Sequence, residues 1–372
     1  MPDQLVGERA LVGELVGDQA AGWDIAGQIP SQLLRKLGAS GVLCAEVPSS
    51  FGGIGASSMD NGELTAYAGS LCSSLRSIMT SQGIAAWTVQ RFGDRGQRER
   101  YLADLTSGQL AAVGFSEREA GSDLSGLRTE IRRDGDSVLI DGEKRWVTGA
   151  RYADLLVIIG RTGDGAAAAA VVPAEAPGVS VQPVSAPLGC RAAGHSHVRL
   201  EGVRLPASCV LGGGGQPLSM LVTMALSYGR MSVAWGCVGI LRACLGAAVE
   251  HAKTRNQSGT PLAGYQLVAR HIAELVIAEQ VSTRVCEHAS RCWDSRSEDM
   301  VVTSVLAKHV SAEHAARGAA AAVQVLGSAG AQDGHVVARA YRDAKLMEII
   351  EGTSEICQLI LSGHAVALNQ KK

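Results

Sequence analysis

The period of the hydrophobic pattern changes twice along this chain, near residue 112 and again near residue 217. Before the first change, apolar residues recur at helical spacing in "PSQLLRKLGASGV", "SIMTSQGIAAWTVQRFG" and "RGQRERYLADLTSG", each stopped by glycine. From Ala112 the apolar runs shorten and are punctuated by Gly, Asp and Pro. "DSVLIDGEKRWVTG" alternates and predicts a hairpin turn at Asp141-Gly142. "ADLLVIIGRTGDGAAAAAVVPAEAPGVSVQPV" and "HVRLEGVRLPASCVLG" read as further short strands. Beyond the second change the pattern is helical again, in four long segments at about 218–255, 264–295, 298–328 and 335–365. Their Ala-rich faces suit close packing in a bundle. The reading is an α+β chain of three units: an N-terminal helical domain over 1–111, an antiparallel β domain over 112–217 and a C-terminal four-helix bundle over 218–372. "GGGG", Gly212 to Gly215, reads as a flexible connection, because no Lys-Ser/Thr follows it to make a phosphate cradle.

Composition removes several classes of function. Of the 372 residues, 46% are hydrophobic and only 4% aromatic, so the core must rest on aliphatic and small side chains. A net charge of −2 gives no basic face for nucleic acid. The nine cysteines form no CxxC pair, and several sit in apolar runs, as reduced thiols of a cytoplasmic protein would. The N-terminus lacks a basic n-region, so no signal peptide is expected. The apolar stretch Met231 to Val249 is broken by Arg242 and glycines, and reads as a buried bundle helix rather than a membrane span. The nine histidines are scattered, and no metal-ligand cluster or Rossmann fingerprint is visible.

The chemistry concentrates in "RDAKLMEIIEGTSEI", residues 342–356, which carries Glu348, Glu351 and Glu355. A largely apolar run leads into Glu351. That carboxylate is either a solvated helix-end charge or a base in a dry site, where its pKa rises. Glu348 lies nearly on the same helix side and reads as a solvated or ion-paired surface charge. In "RWVTG", Trp146 and Thr148 are one strand period apart and are expected on one face.

Six collinear stretches resemble the acyl-CoA dehydrogenase superfamily along essentially the whole chain: "VGFSEREAGSDLSGLRTE", "DGEKRWVTGARYADLLVIIGRT", "LSYGRMSVAWGCVG", "TRNQSGTPLAGYQLVARHIAEL", "QVLGSAG" and "YRDAKLMEIIEGTSEICQLIL". The resemblance implies FAD between the β domain and the bundle, with part of its site supplied by a neighbouring subunit of a homodimer or homotetramer. It implies flavin contacts from Phe115, Ser116, Gly121 and Ser122, from Trp146, Val147 and Thr148, and from Arg255, Tyr265 and Gln266. Gln324, Gly327, Ser328, Thr353 and Glu355 complete that set. Arg255 would reach the pyrophosphate of a neighbouring subunit's FAD. Ser122, Tyr228, Arg230 and Gly352 would meet the substrate, and Glu351 aligns with the base that takes a proton while hydride leaves for flavin N5. The thioester carbonyl would be polarised by the Glu351 N–H and a flavin ribityl hydroxyl. Some members carry the base on an earlier helix, where this chain has Gly229.

The departures matter. Ser116 stands where Thr is usual, Arg118-Glu119 where Pro-Gly is, Ser258 where Phe is, and Ser328 where a second Gly is common. Gly363 replaces an arginine that touches CoA in many relatives. With its Ala/Gly-rich texture, the chain is similar to the dehydrogenases of polyketide and antibiotic gene clusters that make hydroxymalonyl or methoxymalonyl extender units. There the substrate is a small polar acyl group on an acyl carrier protein, and the implied reaction oxidises a 2-hydroxy-3-oxopropionyl thioester. Two readings stay open beside it: a short- or branched-chain acyl-CoA α,β-dehydrogenase, and a flavin-binding scaffold without chemistry. The implied electron acceptor is an electron-transfer flavoprotein or oxygen.

Overall fold

The computed structural model describes residues 5–163 and 165–370. Six helices open the chain: α1 (Val6–Val16), α2 (Ala20–Ala26), α3 (Ser31–Ala39), α4 (Ser58–Leu71), α5 (Ser73–Phe92) and α6 (Arg95–Thr106). Asp94 starts α6 with a capping box, its side chain accepting from Gln97 N–H while Gln97 reaches back. Nearly every residue of α5 is buried, which makes it the helix that the β domain and the bundle share.

A seven-stranded sheet follows, built from β1 (Ala111–Gly114), β2 (Glu130–Asp134), β3 (Ser137–Val147), β4 (Leu155–Arg161), β5 (Ala167–Pro173), β6 (Val179–Pro183) and β7 (Ser196–Pro206). Its order is β1-β4-β2-β3-β7-β6, with β5 on β4. Three corrections to the sequence reading arise here. The sheet is mixed, because β4 pairs parallel with β1 and with the end of β2. The hairpin turn falls at Asp134–Ser137, not at Asp141-Gly142, where β3 runs straight on through a bulge. Gly142 is needed there because a Cβ would sit 2.4 Å from Thr129 Oγ1. "GGGG" is also tied down rather than slack: Gly212 donates to Gln97 Oε1 (3.0 Å) and Gln216 pairs with Ala167.

The bundle comprises α7 (Leu218–Thr254), α8 (Gln266–Asp294), α9 (Met300–Leu326), α10 (Val336–Met347) and α11 (Ser354–Gln370). The fourth expected segment is thus two helices, broken between Met347 and Ser354, and Glu351 lies in the break. Among the described residues α7 is the one helix long and apolar enough to cross a membrane, and 67% of that window is buried inside the protein. Its alanines and glycines let it pack on α4, α5, α8 and α9 at once.

Candidate active site

Glu351 and Gly352 form a left-handed pair at the α10–α11 break, with φ of 55° and 93°. A left-handed backbone is unfavourable for a side chain with Cβ, so it persists only where the surroundings enforce it. The Arg230 Nε, on α7, donates to the Glu351 carbonyl (3.1 Å). Lys308 Nζ, on α9, donates to the Gly352 carbonyl (2.6 Å). Thr353 caps α11 through Oγ1, which accepts from Ile356 N–H (3.4 Å).

This kink turns the carboxylate inward over Gly229. A Cβ built at Gly229 would lie 2.3 Å from Glu351 Oε2 and 2.9 Å from Ile84 Cδ1. Gly229 is therefore the seat of the Glu351 carboxylate. Although Glu351 as a residue is partly exposed, its Oε2 is buried and has no hydrogen-bond partner. Burial pushes the carboxyl up to about 7, against the opposing pull of Arg230, Lys308 and Arg76. The other two glutamates separate from it. Glu348 pairs with Lys345 (2.9 Å), and Glu355 is exposed on the first turn of α11.

The β domain presents a second group. Trp146, the penultimate residue of β3, has a left-handed backbone (φ 55°) and 53% of its surface exposed. The expected strand alternation fails here, because the register shifts between Lys144 and Val147. Trp146 and Thr148 are nevertheless brought together on His195, the indole at 5.8 Å between centroids and Thr148 Oγ1 at 3.2 Å from Nδ1. Val147 is buried in the sheet core. Ser81 on α5 donates to the Thr148 carbonyl (2.8 Å), three residues before the Ile84 that packs near Glu351. α5 thus bridges the two groups.

Phe115 and Ser116 follow β1, and the Ser116 carbonyl accepts from Arg145 N–H (2.8 Å). The next residue, Glu117, anchors the loop from inside, accepting from Lys144 Nζ (2.7 Å), Thr129 Oγ1 (2.5 Å) and the Arg128 and Thr129 N–H groups. Burial pushes the Glu117 carboxyl up, but Lys144 and these donors outweigh it and leave it below the usual range. Gly121 and Ser122 are exposed at the loop tip.

The third group lies elsewhere. Arg255 ends α7, and Thr254 is 25 residues beyond Gly229, roughly 38 Å along the helix. Tyr265 and Gln266 are exposed at the start of α8 and Gln324, Gly327 and Ser328 at the end of α9. One core cluster joins these ends through Ala248, Val325 and Leu326, with Val268 packed on it. Within one chain this group does not meet Glu351.

Tyr228, expected at the thioester, is buried between α7 and α5. One residue from Gly229, it points a third of a turn away and is buried against Trp87 and Trp293, both at 6.3 Å between centroids. Its hydroxyl accepts from Asn61 (3.2 Å), and a Cβ on Gly83 would lie 2.3 Å from its ring. Beyond it lies Glu46, which accepts from Asn61 (2.8 Å) and Trp293 Nε1 (3.2 Å) and is pushed up to about 7 by burial.

Residues 8–109, 112–203 and 220–366 match the N-terminal, middle and C-terminal domains of acyl-CoA dehydrogenases. A probable acyl-CoA dehydrogenase, YngJ of Bacillus subtilis, is 31% identical over 96% of this chain and 98% of its own. The chain belongs to the acyl-CoA dehydrogenase family. It is an oxidoreductase of that type, with the family's helical, β and helical domains. A solved structure described as FkbI, for biosynthesis of the methoxymalonyl extender unit of the polyketide immunosuppressant Fk520, is 61% identical. It covers 97% of this chain and 99% of its own, with a TM-score of 0.93. A glutaryl-CoA dehydrogenase from Mycobacterium smegmatis in complex with FADH2 is 25% identical over 99% of this chain and 95% of its own, with a TM-score of 0.92.

Two buried cations near Glu351 were not singled out from the sequence. Arg76 on α5 has no exposed surface and bonds Thr80 Oγ1 (3.2 Å). Lys308 has none either, in a helix face of Ser304, Val305, Ser311, Ala312 and Ala315 that is otherwise small and buried. A lone lysine in register with such a face was the available signal.

Proposed function

We propose that this enzyme is an FAD-dependent dehydrogenase that oxidises a short polar acyl thioester in polyketide extender-unit biosynthesis. The acyl group is carried by an acyl carrier protein in preference to CoA, and the product class is hydroxymalonyl or methoxymalonyl. The likeness to FkbI over nearly the whole of both chains carries the pathway. The shape of the seam beside the base supports the short acyl group: between α5 and α7 it is filled by Tyr228, Trp87 and Trp293 and ends on the Glu46 carboxyl. A long apolar chain would have to displace three aromatic rings and break the hydrogen bonds that Asn61 and Trp293 give that buried acid.

The residues present fit a flavin. The half-exposed Trp146 indole borders an open cavity of ≈ 430 Å³ with Arg118, Arg145 and His197, and the buried His195 Nε2 beside it has no partner. Trp146, Thr148, Ser116 and Ser122 would hold the ring system, with Thr353 from the break. Arg255, Tyr265, Gln266 and Gln324 to Ser328 would serve the flavin of a neighbouring subunit in a homodimer or homotetramer. When bound, FAD supplies the two-electron acceptor that receives hydride at N5.

The chain's own residues do the proton chemistry. The Glu351 carboxylate takes a proton from the hydrated aldehyde of the 2-hydroxy-3-oxopropionyl thioester while hydride leaves the same carbon, so the gem-diol becomes a carboxylic acid with loss of two electrons and two hydrogens. Arg230 and Lys308 hold the Glu351 and Gly352 carbonyls, and Ile84 and Gly229 exclude water from the carboxylate. A cytoplasmic location suits the nine free cysteines. An electron-transfer flavoprotein would reoxidise the cofactor.

The test is to present the FAD-loaded protein with carrier-bound 2-hydroxy-3-oxopropionyl and with butyryl- and isovaleryl-CoA, following flavin bleaching and product mass. Turnover is expected on the carrier-bound substrate, falling by about 10²–10⁴-fold in Glu351→Gln while the protein stays yellow. Turnover of the CoA esters alone would sink the substrate reading, and a fully active Glu351→Gln the base assignment.

A further inference from the structure

Lys308 is a buried cation that, among the described residues, has no carboxylate within ion-pair distance. Its side chain has no exposed surface, and its ammonium donates only to backbone, to Gly352 O (2.6 Å) and Glu348 O (3.4 Å). These two carbonyls bracket Glu351. The first belongs to the second residue of the left-handed pair, and the second to the C-cap of α10, where the helix dipole favours a cation. Cys357 Sγ points to the same Gly352 carbonyl (3.7 Å), and Ser354 N–H to that of Glu348 (3.0 Å). With Arg230 on the Glu351 carbonyl itself, the break is pinned from both the α7 and the α9 side. An ammonium is costly to bury, and this one is spent on a turn that carbon–carbon packing alone would not hold in a left-handed conformation.

We propose that Lys308 is a positioning residue: by holding the carbonyls on either side of Glu351 it fixes the kink and keeps the carboxylate seated over Gly229. Its side chain has no exposed surface, so it acts through Glu351. The assignment rests on Glu351 being the base. The charged and titratable groups around that carboxylate come from every packed helix: Arg76 from α5, Arg230 from α7, Lys308 from α9, and the thiols of Cys237 and Cys357 beside the ammonium. Lys308 therefore also lowers the proton affinity of Glu351, and its loss acts on both position and ionisation.

The test uses FAD-loaded wild type, Lys308→Met and Lys308→Arg. The protonation midpoint of Glu351 is read from its infrared carboxyl band, identified by its absence in Glu351→Gln. In Lys308→Met the flavin content is expected to hold and kcat to fall about 10–100-fold at a KM within about twofold. The midpoint should move upward by about one pH unit, as for any carboxylate losing a nearby cation. Lys308→Arg, which keeps charge and donors, should return the midpoint towards wild type. A Lys308→Met enzyme with wild-type midpoint and kcat, or one merely less heat-stable, overturns the proposal. If Lys308→Met does not fold, Lys308→Arg decides, and a displaced midpoint there overturns it. A fully active Glu351→Gln sinks the base reading instead, and leaves the midpoint shift to be judged on its own.

Discussion

Glu351 is oriented by a residue that has no side chain. Gly229 leaves the volume the carboxylate occupies, since a Cβ there would stand 2.3 Å from Oε2. Gly229→Ala should therefore fold and bind flavin but misplace the base by about an ångström, a displacement that costs roughly 10²-fold in kcat. Steady-state kinetics beside a flavin absorbance spectrum would separate the two effects. The pH dependence follows from the same seat. The carboxyl is pushed up to about 7, and only its ionised form accepts a proton, so kcat/KM should rise with pH and level off above about 7. Stability runs the other way. The folded pKa lies above the ordinary 4.5, so the native state binds this proton more tightly. The contribution is whole below 4.5 and is lost as pH climbs through 7. Glu351→Gln should accordingly gain on wild type above pH 7, by up to about 3 kcal/mol in a chemical denaturation series.

Elements explain where sequence reasoning held and where it did not. Periodicity gave the helical, β and helical order, because long amphipathic or Ala-rich helices and short apolar strands carry unlike repeats. It missed the break between α10 and α11, since "LMEIIEGTSEI" is helix-compatible at nearly every residue and the kink is imposed by Arg230 and Lys308 from other helices. It placed the hairpin at Asp141-Gly142 when the Asp134-Gly135 pair, seven residues earlier, opens the true turn; both read alike locally, and only Thr129 beneath Gly142 distinguishes bulge from turn. The loop after β1 was legible as a motif, but its internal anchor was not. Lys144 has no exposed surface and its ammonium lies 2.7 Å from Glu117. Lys144→Met should strand that carboxylate in the interior and destabilise the domain by about 3–5 kcal/mol. Urea unfolding would measure the loss, and a weakened flavin affinity would report the loosened loop.

At the scale of the whole molecule the expected site residues do not converge in one chain. Trp146, Thr148 and Glu351 gather around α5, whereas Arg255 stands roughly 38 Å from Gly229 at the far end of α7. Exposed apolar side chains at that end and on the last helix, such as Leu267 and Leu359, are what a subunit interface would cover. If Arg255 serves a neighbour's flavin, two inactive variants should complement each other. Glu351→Gln lacks the base, and Arg255→Ala lacks the neighbour's phosphate contact. In a dimer assembled from both, one site carries both defects and the other carries neither. Random pairing makes half the dimers mixed, each with one intact site of two, so co-expressed and co-purified variants should regain about a quarter of wild-type activity. Each variant alone, and the two mixed only after separate purification, should stay near background. Co-expression that restores nothing would mean that Arg255 and Glu351 serve the same flavin, and that the chain must rearrange by tens of ångströms to bring them together.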